Sequence, residues 1–315
     1  MTKRVFITGA AGFIGFHLAR SLALRGDQVL GYDNFNSYYD PELKRDRASN
    51  LKGIKIVKGD LCDYPFLDET LLKFKPTHIV NLAAQAGVRY SLENPREYLQ
   101  SNVDGFFNIL EFCREFPDVK LLYASSSSVY GNNTKTPFEE SDSINDQASF
   151  YGTTKKMNEM MADMYHKLYG ISAIGLRFFT VYGEWGRPDM AYFSFTKKII
   201  NNEPIEVYGE GELWRDFTYI DDIISGTTAA LDLGAGNEIF NLGNNHPHSV
   251  NELIDILEQS IGKKAIRINK PLPVGDVHKT YADITKSSRL LGYDPQTSLE
   301  MGIPKFISWY RKQMS

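Results

Sequence analysis

Short, unbroken apolar runs separated by helical patterns fill the first half of the chain. RVFIT (4–8), QVLGYD (28–33), IKIVKGD (54–60), THIVNLAA (77–84), KLLYASS (120–126) and IGLRFF (174–179) read as strands buried on both faces. Between them lie segments of helical period, among them 13–26, which ends on the capping glycine Gly26, and 96–116 and 151–170. Strands alternating with helices predict right-handed βαβ units, hence an α/β fold with a parallel sheet covered on both sides. After about residue 180 the pattern loosens. IEVYG (205–209) and EIFNLG (238–243) are strand candidates, 250–262 is a helix candidate, and 266–283 reads as loop. We therefore expect a first unit over 1–180 and a smaller mixed lobe over 181–315, with a soft boundary because parts of the second region can return to the main sheet.

Composition narrows the classes. The 315 residues are 42% hydrophobic and 23% charged with a net charge of −4, which is ordinary for a globular chain and gives no footprint for nucleic acid or a membrane surface. No apolar stretch approaches a bilayer span, and the apolar run near the N-terminus is too short and too broken for a signal peptide. Two cysteines, Cys62 and Cys113, stand in unrelated contexts and make neither a disulfide framework nor a metal site, so a cytoplasmic protein without metal is expected.

Chemistry enters at the strand ends. Gly9, Gly12 and Gly15 space a G-x-x-G-x-x-G turn between the first strand and the first helix, where backbone must approach a pyrophosphate at a helix N-terminus. Asp33 closes the second strand. A carboxylate there accepts from a ribose 2′-hydroxyl and repels a 2′-phosphate, which favours NAD over NADP. Asp60 ends the third strand, placed to meet an adenine edge. Tyr151 and Lys155 share a helix face at i, i+4, where an ammonium beside a phenol would favour the phenolate and make Tyr151 a general base. The run Ser125 to Ser128 falls at the carboxyl end of the fifth strand, on the ligand side of a parallel sheet, so several hydroxyls can face the ligand together.

TGAAGFIG, Asp33, GDL (59–61), NLAAQAGVR (81–89), SNVDG (101–105), SSSSVYG, YGTTK, RFFTVYGEWGRPDM (177–190), RDFTYIDD (215–222) and PVGDV (273–277) resemble the extended short-chain dehydrogenase/reductases over nearly the whole chain. Within them the chain is most similar to the UDP-glucuronate 4-epimerases of polysaccharide synthesis, chiefly through AAQAGVRYSLENP (83–95) and FFTVYGEWGRPDM. The resemblance implies a Rossmann-type doubly wound sheet, bound NAD and a C-terminal lobe that clamps a UDP-sugar. It implies oxidation at the sugar C4 and return of the hydrogen to the opposite face through a transient 4-keto intermediate. Ser126, Tyr151 and Lys155 would be catalytic. Cofactor contacts carry over to Gly9, Gly12, Phe13, Ile14, Gly15, Asp33, Asn34, Asp60, Leu61, Ala83, Gln85, Asn102, Tyr151 and Lys155, with Asn102 behind the site. Substrate contacts carry over to Arg89, Ser127, Ser128, Thr180, Arg187, Val207, Arg215 and Asp276, with Ser128, Thr180 and Arg187 as candidates for a sugar carboxylate. A homodimer through helices 96–116 and 151–170 is also implied. Asn81 stands where relatives often carry His.

Other activities on this framework make different demands. A 4,6-dehydratase needs an acidic pair after the catalytic hydroxyl, where this chain has Ser127 and Ser128. UDP-glucose or UDP-N-acetylglucosamine 4-epimerisation and UDP-glucuronate decarboxylation stay open. A non-catalytic NAD-binding sensor is the reading from another class, and it is at odds with the presence of both Tyr151 and Lys155.

Overall fold

The computed structural model describes residues 2–272 and 277–314. Among the described residues twelve strands run in chain order: β1 (Arg4–Thr8), β2 (Gln28–Asp33), β3 (Lys55–Lys58), β4 (His78–Asn81), β5 (Lys120–Ser126), β6 (Ser172–Phe178), β7 (Thr180–Tyr182), β8 (Pro204–Tyr208), β9 (Trp214–Tyr219), β10 (Asn237–Leu242), β11 (Pro247–Ser249) and β12 (Ile266–Lys270). Seven of them form one parallel sheet ordered β3-β2-β1-β4-β5-β6-β10. The order reverses between β1 and β4, and beyond the carboxyl ends of strands at such a reversal a doubly wound sheet opens a crevice.

Neighbouring residues explain why the strands read as continuous apolar runs. Val5 and Ile7 face one core and Phe6 the other; Leu122 and Ile174 face the first, Leu121 and Ala173 the second. Helix Phe13–Leu24 covers the first face together with Ile220–Leu233, and helices Gly105–Glu115 and Phe150–Tyr169 cover the second. The last of these starts at Ser149, whose side chain accepts from the Gly152 amide, and ends at Gly170 with φ of +71°.

Two elements differ from the sequence pattern, and a third, β10, makes the expected return to the main sheet. The stretch 96–116 is not one uniform helix. A turn at Pro95–Tyr98 passes through a π-helical turn, Leu99–Asp104, before Gly105–Glu115. The wide turn accompanies an inward Asn102, which is 1% exposed and bonds both the amide and the carbonyl of Gln85. The stretch 266–283 contains a strand, β12, parallel to β8; all five of its residues are exposed, so no apolar run marks it. Strand β10, from the second half of the chain, returns to the edge of the main sheet beside β6. Two small sheets, β11-β9-β7 and β12-β8, stand in the region after residue 180.

Candidate active site

The carboxyl ends of β1, β2, β4 and β5 open into one cleft of about 420 Å³. Gly9 turns the chain at φ of +68°, and its amide donates to Tyr32 O at 2.8 Å. A Cβ on Gly15 would stand 2.1 Å from Gly9 O, and one on Gly9 would stand 2.8 Å from Ala83 N. Helix Phe13–Leu24 starts at Gly12 without a capping side chain, so its positive end faces the cleft uncovered. This bare cradle fits a pyrophosphate.

Asp33 is buried at the next strand end and accepts from Ala11 N at 3.0 Å and Phe35 N at 2.8 Å. Burial raises its carboxyl pKa, against those two bonds and the Lys44 charge. Asp60 accepts from Asn34 Nδ2 at 2.9 Å and Cys62 N at 2.9 Å. Burial pushes Asp60 up, but these bonds outweigh it and hold the carboxyl below its ordinary range. Gln85 is 2% exposed and lines the cleft, and its Nε2 has no protein acceptor. A buried amide donor in that position fits a ligand oxygen. Asn81, which replaces the expected His, accepts from Thr8 Oγ1 at 2.7 Å, and Thr8 Oγ1 in turn receives Ala83 N at 3.1 Å, so Asn81 orders the turn after β4.

The serine run divides its work. Ser125 Oγ donates to buried Glu159 at 2.6 Å, and Glu159 is held by both Nε and Nη2 of Arg177, at 2.9 and 2.8 Å. Ser126 Oγ accepts from Ser128 N at 3.1 Å and starts the short turn Ser127–Tyr130, which places Ser126, Ser127 and Ser128 along the cleft. Tyr151 and Lys155 line the same cleft one turn apart. Burial raises the Tyr151 phenol above its ordinary pKa, while the Ser126 hydroxyl and the Arg187 charge oppose the rise. Lys155 was expected to supply that charge. Instead its Nζ donates to Ala124 O at 2.9 Å, and burial lowers the ammonium to about 8. In this structure the cation acting on Tyr151 is Arg187, anchored by Asp189, which accepts Arg187 Nε at 3.0 Å and Tyr38 OH at 3.1 Å.

Of the other residues singled out in the sequence, Phe13, Ile14, Asn34, Leu61, Ala83, Thr180 and Arg215 also line the cleft. Asn102 stands behind it, bonded to Gln85 and Thr154. Val207 is buried within β8, away from the lining, and Arg89 stacks over the Tyr208 ring at 4.4 Å. Asp276 lies outside the described residues. Sequence reasoning missed Asn36 and Lys44 on the cleft wall, which Tyr38 and Tyr39 share. Lys44 is 6% exposed and donates to Asn36 Oδ1 at 2.6 Å. The signal was faint: helix Pro41–Ser49 has almost no apolar residues, yet it buries Leu43, Lys44 and Arg47 on one side.

The model of the NAD dependent epimerase/dehydratase family matches residues 5–243. UDP-glucuronate 4-epimerase 4 of Arabidopsis thaliana is 49% identical over 97% of this chain and 75% of its own length. The crystal structure of the UDP-glucuronic acid 4-epimerase from Bacillus cereus, in complex with UDP-glucuronic acid and NAD, superposes with a TM-score of 0.92 at 34% identity, covering 98% of this chain and 99% of that one. The UDP-glucose 4-epimerase of Thermotoga maritima, with UDP-glucose, superposes with a TM-score of 0.90 at 30% identity, covering 99% of both chains. A Rossmann-type sheet, a bare glycine cradle and a Ser–Tyr–Lys cleft thus coincide with matches along nearly the full length, and the chain belongs to the NAD dependent epimerase/dehydratase family.

Proposed function

We propose that the protein is an NAD-dependent nucleotide-sugar 4-epimerase that interconverts UDP-glucuronate and UDP-galacturonate. The observation that carries this reading is a single cleft lined together by Tyr151, Lys155, Ser126, Ser127, Ser128, Thr180 and Arg187. Hydroxyls and one guanidinium suit a sugar bearing a carboxylate. Relatives named for the same activity support the choice.

When bound, NAD supplies a reversible acceptor for the hydrogen on the sugar C4. Gly9, Gly12, Phe13, Ile14 and Gly15 would hold its pyrophosphate, Asp33 and Asn34 the adenosine ribose, Asp60 and Leu61 the adenine, and Lys155 the nicotinamide ribose. Tyr151 takes the proton of the C4 hydroxyl as the C4–H bond breaks, and Ser126 holds that oxygen. The sugar then turns over, and Tyr151 returns the proton to the same oxygen, so no redox change is left. The C4 ketone stands β to the carboxylate, and such an acid loses CO₂ when its carboxylate leaves the ketone plane. Ser128 and Thr180 grip the carboxylate and keep it near that plane.

Purified protein incubated with UDP-glucuronate and no added NAD, followed by proton NMR, tests the reading. The galacturonate anomeric signal should grow without pentose. UDP-pentose and CO₂ would make the protein a decarboxylase. Turnover of UDP-glucose alone would overturn the carboxylate argument.

We also infer a cytoplasmic homodimer. Helices Gly105–Glu115 and Phe150–Tyr169 pack side by side, with Phe107 against Tyr165, and leave Phe107, Met160, Met164 and Leu168 exposed together. A second copy of the same face would cover them. Among the described residues no helix is long and apolar enough to cross a membrane.

A further inference from the structure

Arg47 sits on helix Pro41–Ser49, fully buried and outside the cleft lining. Its Nη1 donates to Ala11 O at 3.1 Å and to Tyr39 OH at 2.6 Å. Its Nε and Nη2 converge on Trp185 O at 2.9 and 2.6 Å, and Nη2 also reaches Gly186 O at 2.9 Å. All four acceptors are neutral oxygens. Ala11 lies inside the glycine turn, between Gly9 and Gly12. Trp185 and Gly186 immediately precede Arg187, which carries the charge that acts on Tyr151.

Both ends of this bridge need holding. Trp185 has φ of +60°, a left-handed conformation that is strained for a bulky residue and persists only where its surroundings enforce it. Arg47 places two N–H groups on that residue's carbonyl. The Trp185 ring packs 5.5 Å from Phe16, on the helix that the glycine turn starts, and so adds an apolar contact between the same two segments. A planar fork is the side chain that can satisfy oxygens on two backbones at once; an ammonium cannot span them.

We propose that Arg47 is a positioning residue that locks the cofactor-phosphate turn to the Trp185–Asp189 segment, so that occupancy on one side of the cleft steadies the other. The inference rests on the epimerase reading for the identity of the two ligands. Reciprocity follows: if NAD tightens the sugar side, the UDP-sugar tightens the NAD side by the same factor.

The test compares wild type, Arg47→Lys and Tyr39→Phe, each purified with its bound NAD. In Arg47→Lys, NAD should dissociate at least about tenfold faster, and KM for UDP-glucuronate should rise at least about threefold with kcat little changed. Tyr39→Phe removes one acceptor and leaves the bridge, so both quantities should stay within about twofold of wild type. A merely structural arginine would lower Tm in Arg47→Lys but leave NAD dissociation and KM unchanged in the folded protein, and that result would overturn the proposal. Should Arg47→Lys fail to fold, hydrogen exchange on wild-type holoenzyme decides. Adding UDP-glucuronate should slow exchange at residues 9–16 as well as 183–190, and no change at 9–16 sinks the bridge. If UDP-glucuronate binds but is never turned over, the epimerase reading falls while the exchange result still judges the bridge.

Discussion

The Glu159–Arg177 pair behind the serine run invites a comparison of breaking it with replacing it. Both side chains are nearly inaccessible, at 8% and 4%, and the pairing is bidentate. Arg177 also donates to Tyr130 OH at 2.9 Å, and Tyr130 OH donates to Asn241 on β10 at 2.7 Å. Glu159 is the only acceptor in this set carrying a negative charge, so Glu159→Gln leaves a buried guanidinium without its counter-charge and turns an amide N–H₂ toward N–H donors. Breaking such a pair costs about 3–5 kcal/mol, on the order of 10 °C in Tm for a chain of this size. Replacing both partners, Glu159→Met with Arg177→Met, removes the stranded charge. It leaves the Ser125 hydroxyl without its acceptor, at about 1 kcal/mol, so the double variant should be at least about 2 kcal/mol more stable than Glu159→Gln alone. Urea unfolding followed by far-ultraviolet circular dichroism measures all three. A loss under about 1 kcal/mol in Glu159→Gln, or a double variant less stable than that single one, would mean that no stranded charge is created at Arg177. The point reaches function because Glu159 ties the helix of Tyr151 and Lys155 to β6 through Arg177 and to β5, where Ser126 sits, through Ser125.

Other expectations follow from the same geometry. Lys155 is held at about 8 against an ordinary value of 10.5, so between those values the unfolded chain binds a proton that the folded chain has released. Lys155→Met, inactive but more stable than wild type at pH 7, should therefore lose about 3 kcal/mol of that advantage as pH rises from 8 to 10.5; parallel urea midpoints for the two cofactor-free proteins at all pH values would contradict this. Gly15→Ala puts a Cβ 2.1 Å from Gly9 O, so the turn must open, and the purified variant should carry little NAD; a stoichiometric cofactor content, read by absorbance after acid release, would show that the turn tolerates it. Tyr151→Phe should cut turnover by about 10²–10⁴ while calorimetric UDP affinity changes by less than about threefold, whereas lost UDP binding would make Tyr151 a binding residue instead.

How far the sequence reaches depends on whether a residue's role is local. Gly9, Gly12 and Gly15 declare themselves because a turn, a close approach and a helix start all exclude a Cβ within seven residues. Tyr151 and Lys155 declare themselves by helical spacing. What spacing cannot carry is which cation ends up near the phenol. Lys155 is near in sequence, yet it bonds Ala124, and Arg187 arrives from a segment that only the fold brings across. Buried cations such as Lys44 and Arg47 look like solvated surface in a polar helix, because nothing in the helix itself shows their acceptors: Asn36 in the preceding loop for Lys44, and backbone oxygens of distant segments for Arg47. The π-helical turn at Asn102 is invisible for a similar reason: the apolar period continues across it, and the inserted residue is stabilised by Gln85 from another strand end. The return of β10 to β6 is long-range pairing, which a run such as EIFNLG announces as a strand without naming its neighbour.

The most direct measurement uses UDP-glucuronate carrying deuterium at C4, converted by the purified protein in ordinary water and read by proton NMR and mass spectrometry. UDP-galacturonate should form with the deuterium still on C4, because the hydrogen leaves that carbon and returns to it without meeting solvent. Product with hydrogen at C4, or label lost in proportion to turnover, would contradict oxidation and return at C4 inside a closed cleft.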